Sequence, residues 1–157
     1  MEDVKRILAV SWITQYCQGT VHSAVSLASK YGAELSIIHV IDTSMLQGWN
    51  LPMTSQGEER RKDMERIKAK LDRIISNEIK NGSKIKTIVK EGDPVEEILK
   101  VIREEKIDLV ILRAQEESRI EHFLVGSSNH AIIRKMPCSI LLVKNEPGPT
   151  GTVKFFV

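Results

Sequence analysis

The stretch EGDPVEEILKVIREEKIDLVIL, residues 91–112, decides the fold class. Asp93-Pro94-Val95-Glu96 reads as a helix start. Asp93 can cap the first N–H groups, Pro94 sits where a missing N–H costs nothing, and Glu96 falls at the third helical position. Val95, Ile98, Leu99 and Ile102 then recur at helical spacing and form an inward face. Ile107 to Leu112 (IDLVIL) is a short apolar run, as a central strand covered on both faces should be. Before the helix lies KIKTIVK, Lys84 to Lys90, where lysines alternate with Ile85, Thr87 and Val89. That is a half-exposed strand, expected at a sheet edge that lysine charge protects.

Outward from this strand–helix–strand unit the alternation continues. Arg6 to Val10 (RILAV) and Leu35 to Ile41 (LSIIHVI) are apolar strands. Between them Val21, Ala24, Val25, Ala28 and Tyr31 mark a helix that Gly32 caps. Asp42 to Gly57 is a longer connection, and Ser55 with Glu58 makes a capping-box pattern. Met64, Ile67, Leu71, Ile74, Ile75 and Ile79 form one stripe that Asn81-Gly82 ends. Toward the end, a short helix over Ser127 to Lys135 precedes the last strand, Cys138 to Lys144. Strands alternating with helices imply an α/β fold, a doubly wound five-stranded parallel sheet with helices on both faces. Ligands of such sheets bind beyond the carboxyl ends of the strands, here near Ser11, Asp42 and Arg113.

The totals narrow the function. The 157 residues predict one domain, with a core over 1–144 and a tail over 145–157. In that tail Phe155 and Phe156 are expected to dock rather than hang free. Lys and Arg number 23 against 21 Asp and Glu, so a net charge of +2 gives no nucleic-acid footprint. Cys17 and Cys138 are far apart and read as reduced thiols of a cytoplasmic protein. No apolar run approaches the ~20 residues of a membrane span, and the start is too short and too acidic for a signal peptide. His22, His39, His122 and His130 have no metal-ligand spacing, so the metal expectation is none. Ser127 has no evident His–Asp partners and no acid–base dyad stands out, so the catalytic expectation is also none.

Three segments together resemble the universal stress protein family: RILAV with LSIIHVID, then EGDPVEEILKVIREEKIDLVIL, then VGSSNHAIIRKMPCSILLVK. The resemblance implies strand order 3-2-1-4-5, as in adenine nucleotide alpha hydrolase-like folds. It also implies a homodimer through the last strand, Ser139 to Val143. Nucleotide-binding members carry a motif of Gly, two residues, Gly, nine residues, then Gly with Ser or Thr. Aligned on Gly126-Ser127, its first two glycines fall at Arg113 and Glu116. The aspartate usual after the first strand falls at Trp12, or at Ser11 if the strand slips by one. Gly126, Ser127 and the adjacent Ser128 remain, with Val40 where the family's adenine contact would fall.

The loop chemistry points the same way. Glycine permits positive φ and close approach of N–H groups to phosphate, whereas a side chain there costs about 1–2 kcal/mol. Glu116 brings like charge toward a phosphate, which Arg113 and Arg119 offset in part. Gly126-Ser127-Ser128 is also a sufficient helix cap without any anion. The expected function is therefore a non-enzymatic stress-response homodimer with no cofactor, acting through protein contacts. The alternative is a nucleotide switch holding ATP with magnesium through Val40, Arg113, Gly126, Ser127 and Ser128.

Overall fold

The computed structural model describes residues 3–11, 17–43, 56–80, 82, 84–113 and 133–143. Its elements are β1 (Arg6–Val10), α1 (Cys17–Tyr31), β2 (Glu34–Asp42), α2 (Gln56–Lys80), β3 (Ile85–Gly92), α3 (Pro94–Glu104), β4 (Leu109–Arg113) and β5 (Ser139–Val143). The five strands form one sheet in the order β3-β2-β1-β4-β5. Every neighbouring pair is parallel.

Side chains on a strand alternate between faces, and here both faces are covered. Ile7, Ala9, Leu35, Ile37, Leu109 and Ile111 pack under Val21, Ala24 and Ala28 of α1 and Leu71 and Ile75 of α2. On the other face Leu8, Val10, Ile38, Val40, Val110 and Leu112 meet Ile98, Leu99, Val101 and Ile102 of α3. This is why RILAV and LVIL show no polar alternation. At the edge, Ile85 and Val89 of β3 lean on the first layer and Ile88 on the second. Lys86 stays exposed and its ammonium meets Glu105 Oε1 at 2.6 Å, so the lysine-lined edge strand is as expected.

Local signals explain the element ends. Gly32 has φ 64, and Ala33 N–H donates to Ala28 O at 2.8 Å, the closing bond of a glycine-capped helix. Asp93 Oδ1 accepts from Glu96 N–H at 3.0 Å, as its position promised. At the amino ends of the strands, Asp108 Oδ2 accepts from Lys5 and Arg6 N–H, both at 2.9 Å. The same residue donates its N–H to Arg6 O at 2.9 Å and accepts from Ser139 N–H at 3.3 Å, joining β1, β4 and β5.

Several boundaries differ from the sequence reading. β4 starts at Leu109, because Ile107 is buried in the turn, with its N–H on Ile102 O at 3.0 Å. β3 runs on to Gly92, and β2 gains Glu34 and Asp42. α1 starts at Cys17 and takes in Gly19, and Tyr31 at its end is 47% exposed rather than inward. Of the described side chains in the α2 stripe, Leu71 and Ile75 are fully buried, while Met64, Ile67 and Ile74 are half-buried. The helix has 25 residues, about 37 Å at 1.5 Å per residue, which exceeds the sheet beneath it. Residues 133–135 are helical, within the expected short helix. Ser55, residues 114–132 and residues 144–157 lie outside the described residues.

Candidate functional site

Strand order reverses between β1 and β4, and it is beyond the carboxyl ends of such a pair that ligands of these sheets bind. The ladder between β1 and β2 has Val10 paired with Ile38, which sets Ser11 level with His39. His39 is paired with Val89, and Arg113 with Val143. Continuing the pairing of Ala9 with Ile111 by two places brings Arg113 level with Ser11. His39, Ser11 and Arg113 thus form one row across β2, β1 and β4, on the side that α1 and α2 cover.

Ser11 is only 2% exposed. Its N–H donates to Ile38 O at 2.8 Å, and its carbonyl lies 2.7 Å from His39 Nδ1. A carbonyl only accepts, so Nδ1 carries the hydrogen and Nε2 keeps a lone pair. Burial holds the His39 pKa below the usual imidazole value, and the bond to Ser11 partly opposes this. Val40, one residue on, points to the other face and is buried among the α3 contacts. Arg113 ends β4 half-buried.

Beside this row, Asp42 is paired with Gly92, and Thr43 N–H donates to Gly92 O at 3.2 Å. Gly92 has φ 141, and a Cβ there would lie 3.2 Å from Glu97 Cγ. A bend that only glycine adopts easily therefore joins β3 to the Asp93 cap of α3.

Of the expected site residues, the structure sets Ser11 and Arg113 level at the ends of β1 and β4, while Val40 faces the opposite layer. Trp12, Glu116, Gly126, Ser127 and Ser128 lie outside the described residues, as do His122 and His130. His22 is exposed on α1. No group of three or more His, Cys, Asp or Glu that could hold a metal occurs among the described residues. Cys138 is a half-buried thiol whose pKa is raised, first by burial and then by the Asp108 charge. The His39–Ser11 contact is absent from the sequence reading, although a lone histidine inside LSIIHVI was its available signal.

The universal stress protein family model matches residues 4–144. The chain belongs to the universal stress protein family. Membership assigns it to the proteins of stress response. A universal stress protein of Methanothermobacter thermautotrophicus is 26% identical over 152 residues, covering 92% of this chain and 99% of the relative. A universal stress protein of Lactobacillus plantarum shares the fold at TM-score 0.72 and 20% identity, over 91% of this chain and 99% of its own. Another, solved in complex with cAMP, superposes at TM-score 0.68 and 18% identity, over 91% and 98% of the two chains. Among the described residues no helix is long and apolar enough to cross a membrane.

Proposed function

We propose that this chain is a cytoplasmic stress-response homodimer that acts through protein contacts, without catalysis and without binding ATP. The observation that carries this is Arg113 at the end of β4, where nucleotide-binding relatives have the first motif glycine. Arg113 is half-buried, and a residue with a Cβ at this position lacks the backbone freedom that a glycine gives a phosphate loop. Ser11, the alternative position for the aspartate, has its backbone groups engaged by β2. The exposed leucines of β5, Leu141 at 37% and Leu142 at 46%, support the dimer, since an apolar edge strand calls for cover.

Calorimetry with ATP and magnesium tests the reading. The expected result is no binding tighter than about 1 mM, roughly −4 kcal/mol. A micromolar dissociation constant would overturn it. One observation favours the second reading, a nucleotide-binding switch using Arg113, Gly126 and Ser127: a structural neighbour is in complex with cAMP. Titrating cAMP and ATP side by side separates a lost site from one that has changed its nucleotide. Release of phosphate from ATP would add catalysis, which the proposed reading excludes.

A further inference from the structure

We propose that residues 153–157 (VKFFV) fold back over their own sheet and lay Phe155 and Phe156 on Leu141 and Val143, where the cover given by α1 runs out. This goes beyond the proposed function. The tail takes one face of β5 and leaves its hydrogen-bonding edge to a second copy.

Register shows which face is open. Leu141 is paired with Ile111 and Val143 with Arg113, so both side chains stand on the face that α1 and α2 cover. α2 lies over β3, and α1 over β2, β1 and β4. At β5 that cover thins, leaving Leu141 37% exposed and Val143 half-buried. Leu142 is exposed too, but on the opposite face, where Ile133 and Met136 join the α3 layer near Ile140.

Direction decides between the two faces. The passes from β1 to β2 and from β2 to β3 run toward the β3 edge, and both lie on the Leu141 face as α1 and α2. β5 is the opposite edge, so a chain turning back from it runs the same way. The right hand of crossovers then puts the return on the α1 face as well.

Reach and composition agree. Residues 144–152 (KNEPGPTGT) hold two prolines and two glycines, which favour turns over a helix. They span up to ~30 Å when extended, against ~17 Å for the length of β5. Val153, Phe155, Phe156 and Val157 bring the apolar area, each aromatic ring burying roughly 150–250 Å². A segment on a short flexible tether meets its own sheet at an effective concentration on the order of mM, well above that of a second copy in micromolar solution.

NMR of the full chain tests this. The expected result is contact between the Phe155 or Phe156 ring and the Leu141 and Val143 methyl groups, with slowed amide exchange over residues 153–157. Leu141→Ser should speed that exchange about tenfold or more, whereas Leu142→Ser should leave it nearly unchanged. Equal effects of the two variants would overturn the proposal. So would rings that touch Leu142 instead, or tail amides that exchange as in an unfolded chain. In dimers mixed from differently labelled chains, the ring contacts should arise within one chain, and contacts only between chains would refute the placement on its own sheet. Should Leu141→Ser not fold, the ring contacts of the unsubstituted chain decide.

Discussion

At the scale of single residues, two positions carry more than their size suggests. Gly92 has φ 141, which a residue with a Cβ adopts only at a cost of about 1–3 kcal/mol. Gly92→Ala should lower stability by that amount in a denaturant titration. Adding Glu97→Ala should not restore it, because the flexible Glu97 side chain can move but the backbone angle cannot. Asp108 is the second. Its carboxylate takes two backbone N–H groups, so Asp108→Ala should cost about 1–3 kcal/mol, read as a lower denaturant midpoint. Only part of this was legible beforehand. The Asp93 cap was, because a cap acts on residues three positions away. The Asp108 clasp and the His39 bond were not, because they join residues 102 or more and 28 positions apart. Arg113 ends β4, as its place after the apolar run implied, but nothing in the spacing told that Val40 lies short of the end of β2 and is sealed into the α3 layer.

At the scale of elements, the strands were legible wherever both faces are buried, since apolar runs leave a plain signal. Their ends were less so: Ile107 is apolar because it packs in the turn, not because it pairs. The stripe of α2 likewise overstated its contact. Periodicity shows which side faces inward but not how far the sheet extends under it, and among the described stripe residues Leu71 and Ile75 alone are sealed. β5 is the element that carries the assembly prediction. Leu141 and Leu142 lie on opposite faces of this edge strand, and burying their exposed remainders would contribute about 1 kcal/mol each per subunit. Leu142→Asp should give monomers at micromolar concentration in sedimentation. A fully dimeric Leu142→Asp chain would rule out this edge as the interface.

At the scale of the whole molecule, two half-buried groups bound the pH range of greatest stability. The His39 pKa is lower folded than unfolded, so its contribution is complete above ~6.5 and is lost as pH falls toward the folded value. The Cys138 pKa is higher folded than unfolded, so its contribution is complete below ~8.5 and is lost as pH rises toward the folded value. Melting temperature should therefore fall at both extremes. His39→Asn should flatten the acid limb alone, and Cys138→Ala the alkaline limb alone.

The strand order has one more consequence, in the time the chain takes to assemble. β1 is made first yet lies in the middle of the sheet, and the partner on one of its sides is separated from it by about 100 positions, as the Arg6–Asp108 bond spans 102. On a ribosome adding 5–20 residues per second, that flank waits about 5–20 s for β4 to be synthesised. Until then the apolar RILAV edge has only β2 beside it. Nascent chains halted before residue 109 should therefore be the ones that chaperones hold longest, and pairing across the centre should be the late, slow event of refolding.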